Sequence, residues 1–526
     1  MRLVVFFLAL FITQANAQEA FTLKSSIDSL FSRFNNHVSP GCAVAVVNEG
    51  KKVFEGFYGM SNLEYDIPIG RHSKFHIASL SKQFTAAAII RLAQEGKLSL
   101  NDDIRKYVQE IPDFGKKITI NHLLHHTSGL RDQWVMLSLA GWRDGDLVTE
   151  GDIMDIVKKQ KTLNFAPGDE FLYSNTGYTI LGIAVKRITN ISLKDYVDSV
   201  FFRPLGMNDT HFQSDHAAII PGRTSAYYKD NNKWKIAIPV FDNYGATSLF
   251  TTVEDLVKWD SLFYSDSATG RLFTKMMYQP GVLNNKMNQI YASGLMLTSI
   301  SGYDAVEHSG ADAAYRSYFM RVPEKRFAVY ILSNVDDIDF ISASRFIFNL
   351  LHKSKPGEKP EGVAGKVSID SSIVKKWAGT YFDTVTQTIH RINFKDSQLS
   401  IGWWGLQALS NYEFSAGPFT KFTFHSDKGK VVMTKEEKGN VNTVYENVEN
   451  RFRPAGNQEQ YKGRYYCSEL GTYYHLELTE SGFIVNVLRN APIKCTPFLP
   501  DIYEGEYNFV IRFKRDNRGA VSGFYL

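Results

Sequence analysis

The stretch "FHIASLSKQFTAAAII", Phe75 to Ile90, places Ser79 and Lys82 three residues apart at what reads as the start of an apolar helix. Residues at that spacing are neighbours on one helix face, so the lysine is expected to lie against the serine. Leu80, Phe84, Ala86 and Ala87 surround it with hydrocarbon, and desolvation favours the neutral amine. A dry amine beside a hydroxyl is a proton acceptor beside a nucleophile, and a helix N-terminus stabilises developing negative charge. The tetrad is also cheap: Ser372-Ile373-Val374-Lys375 repeats it where no chemistry is evident. It needs partners elsewhere in the chain.

Two candidates follow in order. "GDEFLYSNTGYTILG" supplies Tyr173-Ser174-Asn175, a phenol to share the proton relay and a carboxamide to bind a substrate amide. "AVEHSGADAAYRSYFMRVP" supplies His308-Ser309-Gly310 at the start of a strand pair, where glycine permits close backbone approach. Each pattern is weak alone, as the unrelated Tyr445-Glu446-Asn447 illustrates. The ordered set is specific.

Around these motifs, "GCAVAVVNEGKKVFEGFYG" (Gly41 to Gly59) reads as two strands about a turn. Helical patterns occupy the middle, and "AYRSYFMRV" and "FAVYILSN" return to strand before a helix in "SASRFIFNLLHK". Strands at both ends with helices between predict an α/β sandwich on one antiparallel sheet whose first and last parts meet. A Lys-, Gly-, Pro- and Ser-rich linker follows over 353–372. Beyond it, short alternating strands with aromatics and turn residues predict an all-β, barrel-like region. Trp377-x-Gly379-x-Tyr381 recurs there as Tyr461-x-Gly463-x-Tyr465, so we read two related modules, 373–454 and 455–526, or two halves of one barrel.

The 526 residues carry a formal charge of +4 without a dense basic block, too diffuse to point to nucleic acid. Met1-Arg2, the run "LVVFFLALFI" and Ala15-Asn16-Ala17 form a signal-peptide pattern, with cleavage after residue 17. The run is shorter than a spanning helix needs, so the mature unit, 18–352 plus the β region, is expected to be periplasmic or secreted with no integral membrane segment. Cys42, Cys467 and Cys495 are too few for a disulfide scaffold, and pairing of the last two is left open. His122 and His126 are four apart on an expected helix, but no third ligand is evident and no metal is expected. No cofactor motif is present.

Residues 25–350 resemble the serine β-lactamase and penicillin-binding-protein-like hydrolases, in the branch holding class C β-lactamases, D-Ala-D-Ala carboxypeptidases, D-aminopeptidases and esterases. The segments "ITINHLLHHTSGLRD", "FAPGDEFLYSNTGY" and "GATSLFTTVEDLVKW" are similar to segments recurring in that branch. The resemblance implies a helical subdomain beside the α/β domain, with the site between them. It implies Ser79 as acyl-enzyme nucleophile, Lys82 as its deprotonating or orienting partner and Tyr173 as second proton-transfer group. Asn175 is implied to hold the substrate amide, with His308, Ser309 and Gly310 lining the substrate strand. The backbone N–H groups of Ser79 and Ala311 are implied to form the oxyanion hole.

His308 stands where class C β-lactamases carry lysine, so a weaker anchor is expected, one that titrates near neutrality. That departure favours a peptidase or amidase on D-amino-acid or small peptide substrates. Esterase and β-lactamase are the alternatives within the family, and a non-catalytic penicillin-binding or sensor protein is the alternative outside catalysis. The β modules are expected to wall the cleft, restrict substrate size or mediate a homodimer.

Overall fold

In the run Cys42–Asn48 every side chain but the last is buried, and the two alternating sets enter different cores. The strand β1 it forms is therefore central in its sheet, covered on both faces. Ala43, Ala45 and Val47 pack into one hydrophobic cluster; Cys42, Val44 and Val46 pack into another. The computed structural model describes residues 21–355, 367, 369–402, 404–417, 419–427, 429–448, 457–506 and 509–526. The leader read at 1–17 and the linker residues 356–366 and 368 lie outside these.

β1 turns back into β2 (Lys51–Tyr58). The remaining strands are β3 (Met296–Ile300), β4 (Tyr303–Asp312), β5 (Tyr315–Val322) and β6 (Phe327–Ser333). The order is β3-β4-β5-β6-β1-β2, antiparallel throughout, with Cys42 opposite Ser333. The first and last parts of the unit meet, as the strand-helix-strand pattern predicts. The helices α1 (Lys82–Gln94), α2 (Gln133–Leu139) and α3 (Asn175–Thr189) stack on the larger core. On the other face, the helix over 21–30 and α4 (Phe340–Leu351) close the second core through Leu23, Ile27, Ile347 and Phe348.

Among the described residues the C-terminal region forms two separate nearly closed sheets, one of nine strands and one of seven, each with its own aromatic core. The repeat read in the sequence has a structural counterpart. Tyr381 Oη donates to the Trp377 carbonyl at 2.9 Å, and Tyr465 Oη donates to the Tyr461 carbonyl at 2.9 Å. Both sheets thus open with a short 3₁₀ turn tied to the first strand by the same bond. All three cysteines are free thiols, so Cys467 and Cys495 do not pair. No helix among the described residues is long and apolar enough to cross a membrane.

Both β sheets touch the first domain. In the second, Asn490 Nδ2 donates to the Ser138 carbonyl at 2.9 Å and Tyr474 Oη to the Leu139 carbonyl at 2.5 Å, both at the C-terminal end of α2. In the first, strands β7 (Lys430–Glu437) and β8 (Thr443–Asn447) form a hairpin. The tip of that hairpin reaches Phe171 of the first domain.

Candidate active site

Ser79 sits in a 3₁₀ turn, Ala78–Ser81, between the short strand Phe75–His76 and α1. The helix expected from Ser79 onward thus tightens over its first turn before Lys82. Ala78 holds φ at 47°, a left-handed conformation costly for a residue with a Cβ. The sheet supports that turn from one side. A Cβ on Gly310 of β4 would lie 2.3 Å from the Ile77 carbonyl oxygen, 2.4 Å from Ser317 Oγ and 3.1 Å from Ser79 N. Only glycine lets the strand pass so close behind the serine.

Lys82 is fully buried and its ammonium has three acceptors: Ser79 Oγ at 3.0 Å, Asn175 Oδ1 at 2.8 Å and the Ala246 carbonyl at 2.8 Å. Its Nζ lies 4.9 Å from the ring centroid of Tyr173 and 5.8 Å from that of Tyr178. Burial pushes the amine down to about 7 from its ordinary 10.5, against the opposing charges of Asp132 and Asp312. Asn175, the first residue of α3, is held rigidly. Its main-chain N donates to Asp132 Oδ2 at 2.7 Å and its Nδ2 to the same oxygen at 2.8 Å. Asp132 in turn caps α2 by accepting from Trp134 N.

Tyr173 carries a buried hydroxyl with no hydrogen-bond partner of ordinary geometry among the described residues. Burial raises its pKa well above the usual phenol value, and Ser79 and Tyr291 are the hydroxyls close enough to oppose that shift. Its ring packs on His126 at 4.1 Å between centroids. The helix bearing His122 ends at Leu124, and His126 takes left-handed backbone with φ 56°. The two histidines therefore do not share a helix face. His126 accepts from Ser174 N through Nδ1 at 3.1 Å and serves the tyrosine loop.

His308 departs from expectation. Its Nε2 meets Tyr291 Oη at 3.0 Å and its Nδ1 the Ser309 carbonyl at 2.6 Å. Burial, with the nearby Lys82 charge, pushes it down to about 4. It is thus a neutral ring between pH 5 and 8, and the expected titrating anchor is corrected: desolvation overrides histidine's ordinary range. The cleft itself, about 400 Å³, is lined by Ala311 and Asp312 at the end of this strand and by Ala313 in the turn after it, while His308 and Ser309 do not line it. Ser79 and Asn175 reach it from the helices.

The remaining walls join an apolar set, Trp134, Leu137, Trp142, Ile238 and Phe241, to a charged edge of Arg143, Asp144 and Asp146. Arg143 is the guanidinium in the lining, and it is paired with Asp146 at 2.8 Å. Asp312, 17% exposed, has one carboxyl oxygen buried without a hydrogen-bond partner among the described residues, 3.5 Å from His76 Nδ1. Burial pushes that carboxyl up to about 7. Asp132, Tyr291 and Asp312 were not foreseen from the sequence. The first caps a helix from within the segment "HHTSGLRD", a local signal that was available; the other two carry no local signal.

Residues 27–352 match the family model described as Beta-lactamase. Penicillin-binding protein 4* of Bacillus subtilis (strain 168) is 24% identical over 376 residues, 68% of this chain and 83% of that protein. A D-aminopeptidase of Gluconobacter oxydans (strain 621H) is 24% identical over 313 residues, 59% of this chain but only 58% of the enzyme's length. Among solved structures, the octameric penicillin-binding protein homologue from Pyrococcus abyssi aligns with a TM-score of 0.57 at 22% identity, covering 81% of this chain and 99% of that one. At that identity the likeness speaks to fold.

Proposed function

The chain belongs to the beta-lactamase family, whose members are serine hydrolases, and we propose that within it this protein is an exported acyl-enzyme amidase or peptidase for small D-amino-acid or peptide substrates. The observation that carries the reading is the Lys82 contact set: a fully buried amine 3.0 Å from Ser79 Oγ.

The two candidate bases differ in kind. A Lys82 amine held near 7 accepts a proton at neutral pH, whereas the Tyr173 phenol stays protonated. In this assignment the Ser79 Oγ–H proton passes to Lys82 Nζ as the Oγ–carbonyl carbon bond forms. Tyr173 donates to the leaving nitrogen as the C–N bond breaks and is reprotonated by the Lys82 ammonium. Water then attacks the ester carbonyl, gives its proton to the Lys82 amine, and Ser79 Oγ leaves with a proton returned to it. The N–H groups of Ser79 and Ala311 are assigned to the tetrahedral oxyanion, a donor pair typically worth about 3 kcal/mol per donor. Asn175, fixed by Asp132 and Lys82, is assigned to hold the substrate amide with its remaining N–H.

The substrate class rests on charge and shape. The guanidinium in the cleft lining is paired with Asp146 and His308 is neutral, so among the described residues of the lining a substrate carboxylate meets no unpaired permanent cation. That disfavours a carboxypeptidase or β-lactamase. Asp312 beside the serine suits an amine-bearing substrate, and the aromatic wall suits an apolar side chain. An esterase acting through the same groups is the second reading, favoured by the apolar wall alone.

The test is labelling with a fluorophosphonate. Wild type is expected to be labelled and Ser79→Ala not, with Ser372→Ala labelled normally; label persisting on Ser79→Ala would falsify the nucleophile. A panel of D-aminoacyl amides, D-Ala-D-Ala peptides and short-chain esters then ranks the substrate classes.

A further inference from the structure

The hairpin of the first β sheet does more than lean on the hydrolase domain. Its tip, between β7 and β8, meets two loops that carry aromatic side chains of the site. Asn440 pairs with both main-chain groups of Phe171: Nδ2 donates to the Phe171 carbonyl at 3.0 Å, and Phe171 N donates to Oδ1 at 3.1 Å. The carboxamide acts as a one-residue strand neighbour for this loop. Phe171 lies two residues before Tyr173 and four before Asn175. The next residue is tied inward, Leu172 N donating to the His126 carbonyl at 3.0 Å.

The adjacent Gly439 covers the second loop. A Cβ there would lie 2.8 Å from Gln289 Cα and 2.8 Å from Ile290 N, and its φ of 81° is left-handed. Ile290 precedes Tyr291, whose hydroxyl holds His308. The Phe171 ring joins the two loops, 6.1 Å from His126 and 5.9 Å from Tyr291 between centroids. Hairpin tip, Phe171, His126, Tyr291 and Tyr173 thus form one continuous packed layer, with Lys82 on its far side.

We propose that Asn440 is a positioning residue for the reaction: the appended β module reaches into the hydrolase domain and, through Phe171 and Gln289–Ile290, fixes Tyr173 and Tyr291 against Ser79 and Lys82. The module's docking is then a condition of activity, and a hydrolase domain whose module is displaced has the catalytic groups but not their geometry. This rests on the acyl-enzyme reading above.

The experiment uses the full chain. Asn440→Ala removes both bonds; Asn440→Asp keeps an acceptor for Phe171 N–H and loses the donor. The readouts are the second-order rate at which a fluorophosphonate phosphonylates Ser79, with loss of fluoride, and the pH profile of that rate. Asn440→Ala is expected to be phosphonylated about tenfold more slowly, since displacements of about 1 Å around a reacting group cost up to about a hundredfold. Asn440→Asp is expected to be intermediate. The acid limb of the Asn440→Ala profile is expected to move to higher pH, because water admitted behind Tyr173 rehydrates the Lys82 ammonium.

Asn442→Ala, exposed on the same tip, is expected to match wild type. Gly439→Ala keeps the amide but lifts the tip, and supplies the same readouts should Asn440→Ala not fold. Wild-type rate and profile in a folded Asn440→Ala or Gly439→Ala protein overturns the proposal. A rate loss that tracks only the folded fraction, with an unmoved pH limb, overturns it as well. Either result leaves the Ser79 assignment standing, which fails separately through labelling of Ser79→Ala.

Discussion

Replacing Lys82 with methionine isolates the property on which the mechanism depends. The wild-type amine titrates near 7 in the folded protein against 10.5 ordinarily. Between those values the unfolded chain binds a proton that the native state does not, so native stability rises with pH across that window. The contribution is fully present above the unfolded pKa and is lost as pH falls to the folded one. At 1.36 kcal/mol per unit, the whole window is worth on the order of 5 kcal/mol. Lys82→Met removes this slope. It also leaves Asn175 Oδ1 and the Ala246 carbonyl without their donor, but that cost is independent of pH and shifts the difference without tilting it. Urea unfolding of both proteins, followed by tryptophan fluorescence from about pH 6.5 to 9.5, reads the slope directly. Transitions of the β sheets are common to both and cancel. The stability difference is expected to move in favour of wild type by about 3 kcal/mol between pH 7 and 9.5. A difference constant with pH means that the folded ammonium keeps its ordinary pKa, and Lys82 then cannot be the base at neutral pH.

Three further outcomes are expected. Gly310→Ala drives a methyl into the Ile77 carbonyl and Ser317 Oγ, so unfolding stability is expected to fall by about 1–3 kcal/mol and acylation by more than the loss of folded protein accounts for; wild-type acylation would remove β4 from the site. Asp312→Asn is expected to cut the kcat/KM preference for amine-bearing over neutral amides about tenfold, or about 1.4 kcal/mol, and an unchanged ratio dissociates the carboxyl from specificity. His308→Gln is expected to keep the wild-type shape of the pH–rate profile from about pH 5.5 to 8, since a histidine held near 4 does not titrate there; loss of an ionisation in that range contradicts its neutrality.

The fold was legible where burial is periodic. β1 alternates between two cores, and that alternation is why a run of six buried residues reads as a central strand. The repeat in the β region was legible because it encodes a local bond, a tyrosine hydroxyl to a carbonyl four residues back. Only spatial closure distinguished two sheets from two halves of one, and no local pattern carries that.

The site was legible in part, and the division has a physical basis. Ser79 and Lys82 announce themselves because their contact is three residues long, whereas Asp132 reaches Asn175 across 43 residues and Tyr291 reaches His308 across 17 by a fold that sequence spacing does not express. The same tetrad at Ser372 fails for want of that surrounding: the Ser372 hydroxyl bonds Asp370, and both Ser372 and Lys375 are exposed. The serine there is committed to a carboxylate and the lysine stands in solvent, with no aromatic layer behind either. Tyr445 fails in the opposite sense, sealed in the core of its own sheet. His308 was misjudged for the same reason, since the residue type sets an ordinary pKa and the surroundings decide where it ends. What separates the Ser79 tetrad from the one at Ser372 is therefore the dry aromatic layer behind it, and in this chain a residue of the appended module, Asn440, is bonded to the edge of that layer.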